Sequence, residues 1–403
     1  MQTRDLLIVG SGLAGLVCAV HFKVINPTKT VLVLEKTSQI GGNSLKASSG
    51  ITLVDSKFQR QQGIADSCAI FLDDAKKGKC GKLIPVLARK SVSAELFLER
   101  CGVVLDQLHK LGGHSVARAH TNSKQIGIGR YLVGQVFQKA KAMGVEFWLD
   151  KPVTRLLQED SSVTGVEFDD ESYVLSASVV LATGGYIRNL DLLNVFHPEE
   201  RFTPTSSGPQ ATGDGIELGL AVGCALADMA KLQIHPTGIV DPADPQNPSK
   251  FLAPESIRGL GGELWSTCGA RRIGSELACR DELTAILRKE PGYQALLRIS
   301  QEKAKPLAKL LDFYVSKKLC KLDTFGYEFC VTPILHYSLG GVAVDSNARV
   351  INKSGFLIND LYAAGETTGG IQGENRLGGN SLLDCVVFGM VAAESASNSN
   401  GFY

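Results

Sequence analysis

Three glycines at positions 10, 12 and 15, within GSGLAG, follow the apolar run Leu6 to Val9 and open an apolar helical pattern from Leu13 to Val24. No other feature restricts what this chain can fold into as strongly. The apolar run reads as a strand buried on both faces of a parallel sheet. A second such run, Val31 to Leu34, follows the helix and completes a βαβ unit. In that setting Gly10 permits the tight turn, Gly12 lets backbone approach a pyrophosphate, and Gly15 lets the helix pack closely on the strand. The free N–H groups and positive dipole end of the helix favour phosphate. Glu35 ends the second strand twenty residues after Gly15, where a carboxylate can accept hydrogen bonds from a ribose. These features predict a dinucleotide site and leave NAD and FAD open. Gly42, Asn43 and Ser44, just after the acidic strand, and the distant run Leu361 to Glu366 with its turn at Gly365 can reach other parts of a long cofactor, which favours FAD.

The chain has 403 residues, enough for two domains sharing a core, and its 44% hydrophobic and 21% charged residues exclude disorder, collagen-like repeats and coiled coil as overall descriptions. A net charge of +1 gives no electrostatic reason to expect nucleic acid or an anionic membrane as partner. Ten scattered cysteines without CxxC point to a reducing compartment rather than a disulfide framework. The stretch Leu6 to Val20 imitates a signal-peptide core, but Asp5 precedes it and glycines punctuate it. No segment offers the ~18 uninterrupted apolar residues of a spanning helix. A soluble, cytoplasmic protein is expected.

Further along, residues 60 to 143 read as mostly helical, broken by turns at Gly112 and Gly113. Residues Val145 to Ser176 alternate short β-rich runs with turn residues and predict a small antiparallel insertion. Val179 to Ala182 forms another buried strand ending at Thr183, Gly184 and Gly185. The middle, 231 to 336, reads as more helical, and a last short strand at Leu361 to Ala364 precedes a helix from about Asn380 to Ser395.

The ordered motifs GSGLAG (10–15), EKTSQIGGNSLKASSG (35–50), GGHSVARAH (112–120), VVLATGGY (179–186), GPQATGDG (208–215), QIHPTG (233–238), ESIRGLGG (255–262), HYSLGG (336–341) and AAGETTGGIQGENRLGGNSL (363–382) resemble the fumarate reductase and succinate dehydrogenase flavoprotein family, in its soluble eukaryotic fumarate reductase branch. The resemblance covers nearly the whole chain. It implies an α/β fold: a Rossmann-like FAD-binding domain, its parallel sheet carrying the antiparallel insertion, plus an inserted, mostly helical α+β capping domain. The FAD-binding domain would take residues 1–230 and 337–403 and the cap 231–336, leaving His235 and His336 near the junctions. The family's cofactor positions fall on Gly10, Gly12, Ala14, Gly15, Glu35, Lys36, Gly42, Asn43, Ser44, Thr183, Gly184, Gly185, Asp214, Gly365, Glu366, Arg376, Ser381 and Leu382. The histidine that attaches FAD covalently in membrane-bound relatives has no counterpart in Asn43-Ser44-Leu45-Lys46, which implies non-covalent FAD.

Reducing the double bond of a small dicarboxylate requires cations for two carboxylates, a hydride donor, and an acid on the opposite face. The resemblance assigns one carboxylate to His336 and Arg376, where a guanidinium suits bidentate recognition, and the other to His235. Hydride would come from reduced FAD, the proton from Arg280, and its replacement through Glu255 and Arg258. Fumarate and succinate, or a similar small dicarboxylate, are the implied partners. No nicotinamide domain is evident, so free reduced flavin or a partner reductase is the expected electron donor. No haem motif, iron–sulfur ligand set or other metal site is read. Two departures stand out: the stretch between Arg280 and His336 is shorter than the family's by several tens of residues, and Pro254 stands where bacterial members carry a threonine touching substrate. They leave open a flavin-binding protein with an impaired or repurposed pocket, as well as succinate oxidation, aspartate oxidation or reduction of another unsaturated acid.

Overall fold

In the computed structural model, which describes residues 2–124 and 127–399, the two apolar runs of the βαβ unit are the strands Leu6–Val9 and Val31–Leu34. They pair in parallel and all eight residues are buried. Val179–Leu181 joins on one side, followed by Leu357–Ala363, and Glu146–Trp148 joins on the other, so five parallel strands form the centre of the main sheet. Alternation sends their side chains to two cores. Leu6, Ile8, Val31, Val33 and Val180 meet a layer of helices that includes Leu13–Ile25, Ile84–Arg100, Ile128–Ala142 and Asn380–Ser397. Leu7, Val9, Leu32, Leu34, Val179 and Leu181 pack on the opposite face with Leu156, Val163 and Val166.

Those last three residues lie in the antiparallel insertion, Val153–Glu159, Ser162–Phe168 and Tyr173–Ser176. It joins the main sheet through Asn359 and Ser162, giving ten strands in all. The insertion is smaller than the sequence reading, because Glu146–Trp148 extends the parallel sheet instead.

Residues 232 to 338 build a second body on a five-stranded antiparallel sheet, with Leu232–Ile239, Gly326–Ser338, Ala295–Ser300 and Glu263–Trp265 in order and Lys321–Leu322 at the side. The helices Arg280–Leu287 and Ala308–Ser316 cover it around Leu264, Leu283, Leu297, Leu311 and Phe329. The mostly helical reading of this stretch therefore undercounts its strands: the thirteen-residue Gly326–Ser338 alone pairs with three others. His235 stands opposite Ile334, and the register shifts just beyond it, where Pro236 can donate no ladder hydrogen bond. A third, small sheet, Ile51–Thr52, Ala119–Thr121 and Gln107–His109, interrupts the region read as helical between 60 and 143. Among the described residues no helix is long and apolar enough to cross a membrane, and no cluster of three His, Cys, Asp or Glu could hold a metal ion.

Candidate active site

A cavity of about 1270 Å³ opens at the carboxyl ends of the parallel strands, lined by Val9, Leu34, Ala182 and Ala364, the residues at or just beyond their ends. That is where an open parallel sheet offers a crevice to a ligand. Gly10 makes the turn with φ +108°, and a β-carbon there would lie 2.3 Å from the Ala182 carbonyl oxygen. Ser11 then ties the glycine turn to the acidic strand end: its backbone N–H and hydroxyl reach Glu35 Oε2 at 3.2 and 2.5 Å, while Thr37 donates twice to Oε1.

All the residues expected to hold the cofactor line this cavity except Gly15. Gly15 acts one step behind it, since a β-carbon would sit 2.1 Å from the Gly10 carbonyl oxygen and force the helix off the strand. Lys36 and Asp214 meet across the wall in a 2.7 Å ion pair. Asn43 accepts from Gly208 N–H at 2.8 Å, and Ser44 from Leu13 N–H at 3.2 Å. A glycine-lined cradle at a helix start, with an acid beyond it, fits a long dinucleotide.

At one end of the cavity lie Arg280, His336 and Arg376; His235, Glu255 and Arg258 are buried behind them. Arg376 is 3% exposed and stacks over Tyr337, its guanidinium carbon 4.7 Å from the ring centre. Its backbone N–H donates to Gln233 at 2.7 Å and its Nη1 to the Leu377 carbonyl at 3.2 Å, but its Nε has no partner among the described residues. Burial, then the neighbouring Arg280, pulls its pKa down to about 10.

Arg280 opens its helix and points Nε and Nη2 at Glu255 Oε2, the former at 2.9 Å; its Nη1 is left without an acceptor. Glu255 Oε1 takes the Gly112 N–H at 2.9 Å and faces Arg258 at 3.7 Å. Burial pushes this carboxyl up, but Arg280 and Arg258 outweigh it and hold it at about 2. Asp281 and Glu282, next to Arg280 in the chain, have no part in its pairing.

The two histidine rings are 5.1 Å apart, edge to face. His235 Nδ1 accepts the Thr237 N–H at 3.2 Å, so in the neutral ring Nε2 carries the proton, and it is buried with no acceptor among the described residues. Burial, followed by Arg280, holds both histidines well below the usual range. Both rings are therefore neutral here, where the sequence reading had cations. His336 Nδ1 is engaged by the Ser206 hydroxyl at 2.9 Å.

Sequence reasoning passed over Ser11, Gln233, Tyr337 and Gly112, although each lies inside a motif it quoted. Gln233 precedes His235 by two strand positions and so shares its face, a signal that periodicity carries. The contacts of Tyr337 and Gly112 are made across the fold and leave no local trace.

The FAD binding domain family matches residues 5–382. Fumarate reductase 1 of Saccharomyces cerevisiae is 36% identical, with 99% of each chain covered, and the fumarate reductase of Schizosaccharomyces pombe is also 36% identical, covering 99% of this chain and 90% of its own. The first alignment runs over 469 positions against a chain of 403 residues, so several tens of the relative's residues have no counterpart here. The solved open conformation of a flavocytochrome c3 fumarate reductase superposes with a TM-score of 0.80 at 29% identity, over 99% of this chain and 78% of that one. With a glycine cradle shaped for a dinucleotide and a full-length match on both measures, this chain is an FAD-dependent oxidoreductase and belongs to the flavoprotein family of the fumarate reductases.

Proposed function

We propose that this protein reduces fumarate to succinate. The observation that carries the reading is a surplus of buried donors at and just behind one end of the cavity: Arg376 Nε, Arg280 Nη1 and His235 Nε2 have no acceptor among the described residues. Three guanidiniums, of Arg258, Arg280 and Arg376, face one firmly ionised carboxylate, Glu255. A small dianion supplies both the charge and the acceptors that this cluster needs.

Bound FAD, once reduced by the external electron donor, would supply the hydride. Arg376 and His336 hold one carboxylate of the substrate, and His235 Nε2–H holds the other. Arg280 delivers the proton from Nη1, its one N–H group that Glu255 does not engage among the buried atoms. A guanidinium is an unusual acid, but the carbanion-like centre left by hydride addition has a conjugate acid weaker still, so the transfer runs downhill. Glu255 holds Arg280 in place, and Arg258 returns the proton through Glu255. The body built on residues 231–336 serves as the cap over this site, and it is the stretch between Arg280 and His336 that is shorter than the family's. Pro254 opens the short helix Glu255–Gly259 that carries the relay.

FAD is held without a covalent bond, since Asn43 and Ser44 stand where a linking histidine would be; acid precipitation should release all the flavin, and a yellow pellet after acid and organic washes would contradict this. All ten cysteines are unpaired, in keeping with a cytoplasmic location. Electrons would come from free reduced flavin or a partner reductase. The deciding experiment bleaches the bound flavin with dithionite and adds fumarate: the oxidised absorbance should return with stoichiometric succinate, and a spectrum that stays bleached would sink the reading.

A further inference from the structure

The segment Gly112–His120 carries no substrate contact in this reading, yet it holds some of the most deeply buried charges in the molecule. Arg118 is fully buried; its Nε and Nη2 donate to Asp66 at 2.7 and 2.8 Å and its Nη1 to Asp74 at 2.6 Å. Asp74 also accepts the N–H and hydroxyl of Ser115, both at 2.7 Å. The same Nη1 lies 3.2 Å from His114 Nδ1, and His114 Nε2 lies 2.9 Å from the carbonyl oxygen of Gly378.

A guanidinium can only donate and a carbonyl can only accept. Between them the imidazole has one allowed form, neutral, with Nδ1 bare and Nε2 protonated. Burial and the adjacent Arg118 agree with this, holding the ring's pKa at about 4. The carbonyl it holds is two residues beyond Arg376 and also accepts the Thr52 hydroxyl at 2.8 Å. A β-carbon on Gly378 would lie 3.0 Å from Glu255 Oε2, so this loop abuts the relay carboxylate directly. On the other side of His114, Gly112 N–H holds Glu255 Oε1 at 2.9 Å, and Gly113 N–H reaches the Leu277 carbonyl at 3.3 Å, three residues before Arg280.

We propose that His114 is a positioning residue for the reaction: locked in one tautomer by the buried Asp66–Arg118–Asp74 ion pair, its Nε2–H holds the Gly378 carbonyl and so sets the Arg376 loop against Glu255. The inference rests on the reading that Arg376 and Glu255 serve fumarate reduction. It predicts that the bond from His114 to Gly378 matters for kcat/KM well beyond its part in folding.

Three full-length, FAD-loaded variants test it beside the wild type, with kcat and KM for fumarate measured using a reduced dye, flavin content by absorbance, and Tm. His114→Asn keeps an acceptor for Arg118 but is too short to reach Gly378. It should retain FAD and lose ~10- to 100-fold in kcat/KM, as expected when a reacting group is displaced by about an ångström. His114→Gln can offer an amide oxygen to Arg118 and an amide N–H to Gly378, and should recover most of that loss. His120 is the control: it is equally buried, but its ring bonds to the Ser56 hydroxyl and the Arg118 carbonyl, each at 2.7 Å, away from the Arg376 loop. His120→Asn should lower Tm and leave kcat/KM within about twofold. The proposal fails if His114→Asn matches the wild type, if His114→Gln is as impaired as His114→Asn, or if His120→Asn costs as much activity as His114→Asn. An active wild type matched by His114→Asn removes this proposal alone, whereas a wild type without fumarate turnover removes the functional reading and this one with it.

Discussion

Two buried charge clusters lie close to Gly378, and they are finished in opposite ways. Around Arg118 two carboxylates serve one guanidinium, and its Nε, Nη1 and Nη2 all have partners. Burial pushes Asp74 up, but the Arg118 hydrogen bond wins and holds it at about 2. Around Arg376 the balance is reversed. Only Glu255 is firmly ionised, while burial drives Glu366 and Asp384 up to about 7. Buried charge alone therefore does not mark a site; buried charge without enough acceptors does, because leaving donors unpaired in a low-dielectric interior is costly unless a ligand completes them.

The comparison is most exposed to a test at Arg280. Arg280→Ala should keep FAD and fumarate binding yet lose ~10²- to 10⁴-fold in kcat, the range for removing a general acid. A reduced-dye donor keeps the unknown electron partner from limiting the rate, and near-wild-type turnover would return Arg280 to the class of structural ion pairs. Arg118→Met should act mainly on folding, leaving Asp66 without its guanidinium and Asp74 with only the exposed Lys77, at a cost of about 3–5 kcal/mol in denaturant unfolding, with a smaller loss of kcat/KM through His114. If stability barely moved while catalysis collapsed, the two clusters would have to exchange roles.

At Arg376 the opposite pattern is expected. Arg376→Ala should cost about 2–5 kcal/mol in fumarate recognition, read from kcat/KM, by removing a charge-assisted pair from a closed site. Folding stability should hold or rise, because the cation removed has an unpartnered Nε in the folded protein. Unchanged kcat/KM with FAD in place would show that the carboxylate is held elsewhere.

The smallest effect is in pH. Burial lowers His114 and His120 to about 4, so between their ordinary value of 6.5 and about 4 the unfolded chain takes up protons that the folded one refuses. Their contribution is complete above pH 6.5 and is lost as pH falls through that window, at ~1.4 kcal/mol per pH unit for each ring. Glu366 and Asp384 work against this slope, taking protons in the folded state up to about pH 7. His120→Asn should make urea-unfolding stability less steep in pH between 6.5 and 4, and an unaltered slope would mean that the ring is not held neutral.

Much of the frame was legible because its signals are local. GSGLAG between two apolar runs is a strand, a turn and a helix wherever it occurs, and Gly10, Glu35 and Ser44 duly meet at the head of the sheet. The second body was read less well. Gly326–Ser338 looks ambiguous beside Lys-rich helical neighbours, and its partner Leu232–Ile239 lies some ninety residues earlier, so nothing near it in the chain announces the pairing.

The chemistry divides along the same line. By itself the sequence determined which donors and acids the chain possesses and which motifs bring glycine close to a cofactor, since those depend on residue type and short spacing. Only the tertiary structure decided which of these groups are already paired: Glu255 reaches Arg280 across 25 positions and Gln233 reaches Arg376 across 143. Burial then set the charge each one carries, turning His235 and His336 from expected cations into neutral rings. Both outcomes depend on what else is packed within a few ångströms, and that neighbourhood exists only once distant segments have folded together.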